Sequence, residues 1–212
     1  MKDSLTLLSN GGWKGAVVMK TTGNFNKIDK KVQKVILDNA DYNGFGLATV
    51  LGVKFLDATE RSIVYEFAQR YILKEYKEKG KRDSDIKALL DLDGISYFPE
   101  LYVYKEFDYL IMEKAKGECL HNLLRDGSIT EIELQKILEQ LIDATTLALE
   151  NNRYDYDFKL EHLFWDGETI MLVDLGICDK ITVFYPSFDD MIDQRIQDFI
   201  VKVSRLGYNI NK

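Results

Sequence analysis

The sequence has little cysteine and no long apolar run, and each shortage excludes a class of protein. Its 212 residues include two cysteines, Cys119 and Cys178, which are too few for a disulfide framework and typical of a reducing compartment. No stretch approaches the roughly 18 apolar residues of a membrane helix. The polar start MKDSLTLLSNGG does not fit a signal peptide. We therefore expect a cytoplasmic protein without a membrane span, and secretion without a Sec-type signal is the alternative.

The sequence also lacks an excess of positive charge. Lys and Arg number 28 against 35 Asp and Glu, which gives a formal net charge of −7. Because nucleic-acid binding needs a basic face, we expect no nucleic-acid partner. The chain has two histidines beside its two cysteines, and it contains no zinc-type Cys/His cluster. With 46% hydrophobic residues it has enough apolar surface for one sizeable domain or two small lobes.

The apolar pattern changes along the chain, and this change predicts the domain organisation. Residues 1–45 form an N-terminal extension with a strand at 16–19 and a helix in KIDKKVQKVILDN. Alternating β-branched and aromatic residues in 46–115 predict strands. These strands are LATVLGVKFLD, SIVYEF, RYILKEYK with a tight Ala-Gln turn before it, YFPELYVYKEF and DYLIMEK. DIKALLDLDG predicts a short helix between them.

Residues 116–212 carry a helical pattern instead. TEIELQKILEQLIDATTLALENN predicts a long helix, in which Thr130 and Glu133 form a capping box and an apolar stripe marks the core face. FDDMIDQRIQDFIVKVSRLGY predicts a second helix. A β-rich half followed by an α-rich half indicates an α+β fold of two lobes joined near residue 115.

Charged residues surround short apolar runs in the segment DYDFKLEHLFWDGETIMLVDLG, which spans 155–176. Asp157 precedes two apolar runs around an Asp-Gly turn, and Asp174 follows them. This is the layout of a phosphoryl-transfer site, in which one carboxylate orients an attacking hydroxyl and another holds Mg²⁺ against nucleotide phosphates. Carboxylates supply the hard oxygen ligands that Mg²⁺ prefers.

This segment resembles the catalytic loop and the metal loop of the protein-kinase-like superfamily, whose patterns are H-R-D-x-x-x-x-N and D-F-G. The resemblance implies that Asp157 is the catalytic aspartate, Lys159 the lysine that neutralises the transferring phosphate, and Asp174 a metal ligand. Asp155 stands where the family has an architectural His. His162 stands where the family has a metal-binding Asn, and imidazole is a poorer Mg²⁺ ligand than an amide oxygen. We assign His162 to the metal, with a packed histidine as the alternative.

Upstream segments resemble further parts of the same family. LIMEKAKGECLHNLL resembles the segment between the lobes, which implies that Met112 is the gatekeeper and that the backbone of Glu113 and Ala115 binds adenine. RYILKEY resembles the third strand, V-A-I-K, which implies that Lys74 binds the α- and β-phosphates. An exposed strand lysine is the alternative for Lys74.

A lysine inside an apolar strand is costly unless an acid pairs with it. The segment that follows offers Asp83 and Asp85, and we favour Asp85.

The phosphate-covering loop has the weakest resemblance. GVKFLDATERSIVYE places Asp57, Thr59 and Ser62 where the family has three glycines, so Thr59 and Ser62 would contact phosphates through backbone amides. NGGWKGAV, at 10–17, fits the glycine pattern better. We favour it less, because Lys20 follows too closely to leave room for a hairpin before a third strand.

The resemblance implies a bilobal protein-kinase-like fold with a β-rich N-lobe at 46–115 and a reduced α-helical C-lobe at 116–212. There is no A-P-E signature and no long activation segment, as in the minimal bacterial kinases of the RIO or lipopolysaccharide-core type. The expected function is phosphoryl transfer that uses ATP and Mg²⁺, first of all to Ser or Thr of a protein substrate. The alternatives are a small-molecule or sugar kinase and a non-catalytic nucleotide-binding module.

Overall fold

The chain divides into two compact units of different secondary structure. The structure is a computed structural model and describes residues 17–78, 85–181 and 187–210. Unit 1 comprises Met1–Leu90 and Glu100–Lys114, and unit 2 comprises Asp91–Pro99 and Ala115–Lys212. Strands dominate the first unit and helices the second, so the predicted α+β class is confirmed.

Unit 1 is built on a six-stranded antiparallel sheet in the order β1-β5-β6-β4-β3-β2. Its strands and helices are β1 (Lys20–Thr21), a 3₁₀ helix (Gly23–Lys27), α1 (Lys30–Asp38), α2 (Gly44–Leu51), β2 (Lys54–Ala58), β3 (Ser62–Phe67), β4 (Tyr71–Tyr76), α3 (Ile86–Asp91), β5 (Leu101–Lys105) and β6 (Tyr109–Glu113).

The turn between β3 and β4 sets the register of the central strands. Ala68 and Gln69 both have positive φ angles, 49° and 61°. Such a primed turn matches the right-handed twist of the strands it joins. The predicted Ala-Gln turn is confirmed, and the register places Lys74 opposite Val64 on β3 and Leu110 on β6.

The predicted strand at 47–57 is confirmed only in its second half, as β2, and the predicted strand at 16–19 is wrong in its described residues, 17–19. Residues 47–51 belong to α2, because Asn43 accepts a hydrogen bond from the amide of Gly46 (2.8 Å) at its start and Gly52, with φ of 63°, ends it. An apolar run of this length does not distinguish helix from strand by periodicity. In the N-terminal extension the strand is β1, at Lys20–Thr21, and residues 17–19 lie before it.

The described part of the N-terminal extension contributes to the core of unit 1. Phe25, Ile28 and Ile36 are at most 8% exposed and belong to the same buried cluster as Leu73 and Ile111 of the central strands. Burial of such side chains stabilises a fold by roughly 1.5–3 kcal/mol each. Residues 25–36 are therefore an integral part of this unit.

Unit 2 combines two long helices with two small sheets. Its strands and helices are β7 (Glu118–Cys119), α4 (Leu120–Arg125), α5 (Glu131–Glu150), β8 (Arg153–Asp155), β9 (Leu163–Trp165), β10 (Ile170–Leu172), β11 (Cys178–Lys180) and α6 (Phe188–Ser204). The sheets are β10-β9-β7 and β11-β8. The predicted capping box of Thr130 and Glu133 is confirmed at the start of α5, and Ser187 and Asp190 form another at the start of α6. Among the described helices, none combines the length and apolar character needed to cross a bilayer.

Gly117 lies at a position where no side chain fits. Its φ is +74°, and an added Cβ would lie 1.9 Å from the carbonyl oxygen of Trp165. This close approach arises because the next residue, Glu118, pairs with Trp165 across β7 and β9. Gly117 therefore allows β7 to join the sheet that supports the β9–β10 hairpin.

Candidate active site

The predicted catalytic loop follows β8 and presents Asp157 to solvent. Nζ of Lys159 lies 2.6 Å from Oδ2 of Asp157, and the two side chains are 48% and 40% exposed. The backbone of Asp157 is held from behind, because its amide donates to Oδ1 of Asp155 (2.8 Å). An exposed ion pair contributes little to stability. The pair is therefore accessible to a ligand without being needed for the fold.

The β9–β10 hairpin brings Asp174 next to His162. Leu163 pairs with Leu172 at the open end of the hairpin, and the amide of Val173 donates to the carbonyl of His162 (2.9 Å). As a result Oδ2 of Asp174 lies 3.5 Å from Nε2 of His162. Asp174 has left-handed backbone angles, φ 59° and ψ 59°, and precedes a 3₁₀ helix.

His162 and Asp174 are the two side chains at this hairpin that could contribute to a metal site. Nδ1 of His162 is buried and has no hydrogen-bond partner among the described residues, whereas Nε2 faces the carboxylate of Asp174. Within 17–78, 85–181 and 187–210, no group of three or more His, Cys, Asp or Glu side chains is arranged to hold a metal. An ion at His162 and Asp174 would therefore take its other ligands from phosphates and water, as Mg²⁺ often does.

Lys74 and Asp85 form a buried ion pair in unit 1. Nζ of Lys74 lies 2.5 Å from Oδ2 of Asp85, and their side chains are 9% and 2% exposed. The hydroxyl of Tyr76 accepts from the amide of Asp85 (3.2 Å) and lies 3.4 Å from Oδ2. The structure thus joins Lys74 to the favoured partner, and the alternative, Asp83, lies outside the described residues.

The turn between β2 and β3 is closed by a threonine hydroxyl. Oγ1 of Thr59 accepts from the amides of Arg61 and Ser62, each at 3.1 Å, and Nζ of Lys77 donates to the carbonyl of Thr59 (2.7 Å). Ser62 is buried at the start of β3. Two amides that a glycine-rich loop would offer to phosphate are used inside this turn. The glycine-rich alternative lies, apart from residue 17, outside the described residues.

The predicted adenine-binding backbone lies at the end of β6. Met112 is 7% exposed and sits opposite Ile72 of β4. The amide of Glu113 donates to the carbonyl of Glu100 (2.9 Å). Since this amide is used by the sheet, Glu113 would contact adenine through its carbonyl. Ala115 is the first residue of unit 2 after this strand.

Arg195 of α6 is a buried residue that belongs to no motif in the sequence. It is 3% exposed and donates from Nη2 to the carbonyl of Asp155, the residue that holds the amide of Asp157. Met191 and Phe199, four residues away on either side, are also buried. An arginine on the apolar stripe of an amphipathic helix is the sequence signal that could have identified it.

Comparisons with known proteins give partial matches to protein kinases. No protein-family profile matches the chain. It is 31% identical over 109 residues to calcium/calmodulin-dependent protein kinase type 1 of Caenorhabditis briggsae, covering 47% of this chain and 31% of the relative. It is 27% identical over 138 residues to CBL-interacting serine/threonine-protein kinase 8 of Arabidopsis thaliana, covering 62% of this chain and 31% of the relative. The chain therefore spans about a third of the length of these relatives.

Solved structures show the same architecture. WbdD superimposes with a TM-score of 0.55 at 19% identity, covering 75% of this chain and 38% of that chain. WbdD in complex with the kinase inhibitor LY294002 gives a TM-score of 0.51 and covers 74% of this chain. At 19% sequence identity, this structural similarity is evidence for the fold alone.

Proposed function

We propose that this chain is a member of the protein-kinase-like superfamily and transfers a phosphoryl group from ATP to a hydroxyl in the presence of Mg²⁺. The observation that carries the proposal is the pair of exposed carboxylates, Asp157 and Asp174, at the two ends of the segment that contains the β9–β10 hairpin. Nζ of Lys159 lies beside the carboxylate of Asp157, and Nε2 of His162 lies beside the carboxylate of Asp174.

The residues of the loop have distinct roles in this reaction. Asp157 orients the attacking hydroxyl and accepts its proton. Lys159, held 2.6 Å from that carboxylate, offsets the charge of the transferring phosphoryl group. Asp174 and His162 hold the metal ion. When bound, Mg²⁺ neutralises charge on the phosphate oxygens.

Residues of unit 1 bind the nucleotide in this proposal. Lys74, kept in place by Asp85, binds the α- and β-phosphates. The Thr59 hydroxyl oxygen already accepts hydrogen bonds from two backbone amides. Its O–H group therefore donates a hydrogen bond to a phosphate oxygen. Ser62 contributes to phosphate binding as part of the same turn, because its amide is held by the Thr59 hydroxyl.

The end of β6 and the residues after it bind the base. Met112 borders the adenine, and the backbone of Glu113 and Ala115 forms hydrogen bonds with it.

The first candidate acceptor is a Ser or Thr hydroxyl of a protein, because the named relatives are protein kinases. A small-molecule or sugar hydroxyl is the second candidate. One observation favours it: only 11 residues, 177–187, separate Gly176 of the metal loop from the start of α6 at Phe188. So short a segment leaves little surface on which a peptide could lie.

Transfer from labelled ATP tests the function and separates the acceptors. The protein is incubated with labelled ATP and Mg²⁺, alone, with a dephosphorylated protein mixture, or with a panel of monosaccharides. We expect label on protein; label on a sugar would select the second candidate. A nucleotide-induced rise in melting temperature without any transfer would support the non-catalytic module instead. Absence of both would contradict the proposal.

His162 predicts a preference for Mn²⁺ over Mg²⁺. Imidazole suits borderline metals better than Mg²⁺, which favours oxygen ligands. In the presence of a non-hydrolysable ATP analogue, His162→Asn is expected to lower the ratio of Mn²⁺ to Mg²⁺ affinity, because an amide oxygen then replaces the imidazole nitrogen. Titration of the metal by calorimetry measures this ratio.

The other histidine of the chain supplies the matched control. His121 is 34% exposed and lies 3.9 Å from a carboxylate oxygen of Glu161. His121→Asn should leave the affinity ratio unchanged. An unchanged ratio in His162→Asn as well would show that His162 is a packed histidine.

A further inference from the structure

Arg195 is held against the catalytic loop by aromatic rings. Its guanidinium carbon lies 4.4 Å from the ring centre of Phe158 and 5.1 Å from that of Tyr154. The residue is 3% exposed. Burial of a guanidinium is costly unless its environment compensates the lost hydration. The two rings supply part of that compensation through cation–π contacts.

The hydrogen bond of Arg195 goes to the backbone of the loop. Nη2 donates to the carbonyl oxygen of Asp155, while Nη1 lies 3.9 Å from the Oδ2 atom of the same residue. Arg195 therefore contacts residues on both sides of Asp157 in the sequence. Asp155 lies two positions before Asp157, and Phe158 lies one position after Asp157.

Asp155 transmits this contact to Asp157. Its Oδ1 accepts the amide of Asp157 (2.8 Å), and its neighbour Tyr156 donates through its own amide to the carbonyl of Ile177 (3.3 Å). Burial raises the pKa of Asp155, and the charge of Arg195 and the amide of Asp157 oppose that rise. Asp155 is 20% exposed in its side chain, so it faces the protein and not the solvent.

We propose that Arg195 is the positioning residue of the catalytic loop. It fixes the backbone from Asp155 to Phe158 and so sets the direction of the Asp157 carboxylate, without itself touching a substrate. The inference rests on the function proposed for Asp157. A displacement of a reacting group by about 1 Å can lower a rate by about 10²-fold, so the position of this backbone governs the turnover rate.

Arg195→Lys tests the proposal, because lysine keeps the charge but loses the planar fork that spans the carbonyl and the rings. We expect kcat for transfer from ATP to fall by about 10²-fold with KM for ATP within about twofold of the wild type. We also expect the amide of Asp157 to lose protection from hydrogen exchange. Lys202→Met is the matched control, since Lys202 lies on the same helix, 5.9 Å from the ring centre of Phe158. It should leave both quantities unchanged.

The two readouts keep this proposal separate from the proposed function. If the wild type transfers no phosphate but Arg195→Lys still exposes the Asp157 amide to exchange, the function fails and the positioning role stands. Unchanged kcat and unchanged exchange in Arg195→Lys would overturn the positioning role. Should that variant not fold, exchange is measured on Asp155→Ala, which removes the acceptor of the Asp157 amide. Protection equal to the wild type there would likewise overturn it.

Discussion

Replacing Asp157 with Asn is expected to lower the rate of phosphoryl transfer by about 10²–10⁴-fold, the usual contribution of a general base. The change removes the charge but keeps the shape of the side chain, which is 40% exposed and so contributes little to stability. Affinity for ATP and the melting temperature should therefore stay close to those of the wild type. A single-turnover measurement with labelled ATP, beside calorimetric titration of ATP, separates the loss of transfer from a loss of binding.

Asp179→Asn is the control for this variant. Asp179 is an exposed aspartate on β11, opposite Tyr154 of the strand that precedes the loop, so its change removes one negative charge near the loop and leaves Asp157 in place. Transfer should persist at the wild-type rate. Equal activity of Asp157→Asn and the wild type would remove Asp157 from the mechanism.

Removing one member of the Lys74–Asp85 pair is expected to destabilise the protein by about 3–5 kcal/mol, because the remaining charge stays buried without its partner. Lys74→Met leaves the Asp85 carboxylate, whose side chain is 2% exposed, and Asp85→Leu leaves the lysine, whose side chain is 9% exposed. The double variant Lys74→Met/Asp85→Leu should recover most of the loss, since apolar side chains replace both charges. Urea unfolding measures all three.

The double variant also separates the structural role of the pair from its proposed role in ATP binding. It should be nearly as stable as the wild type and yet fail to bind ATP, because the cation for the phosphates is absent. Lys20→Met is the control, since Lys20 pairs with Glu106 at 2.8 Å on the same sheet but both side chains are exposed, at 36% and 48%. It should hardly change the unfolding midpoint. Full stability of both single variants would contradict the prediction.

Local patterns in the sequence predicted the local geometry well. The Thr130 capping box, the Ala-Gln turn and the Asp-Gly turn at 166–167 depend on a few adjacent residues, and all three are present. The need for an acidic partner of Lys74 followed from the cost of a buried charge, and the choice of Asp85 over Asp83 followed from its position before the segment between the lobes.

Features with an ambiguous local pattern, and features that depend on distant parts of the chain, were not predicted. Helix α2 has the apolar composition of a strand, and its identity depends on the cap at Asn43 and the stop at Gly52. Arg195 donates a hydrogen bond to the carbonyl of Asp155, which is 40 residues away in the sequence, and no rule of residue spacing predicts this contact. The core contribution of the N-terminal extension likewise depends on its packing against β4 and β6.

The left-handed backbone of Asp174, with φ of 59°, means that this position is not optimised for stability. Left-handed angles cost an ordinary L-residue roughly 1–2 kcal/mol, whereas glycine adopts them without that cost. A glycine at 174 would therefore relieve the backbone, but it would also remove the carboxylate. Such local strain concentrates at functional sites. The left-handed backbone of Asp174 is therefore an observation, separate from the motif, that supports the proposal that Asp174 binds the metal ion.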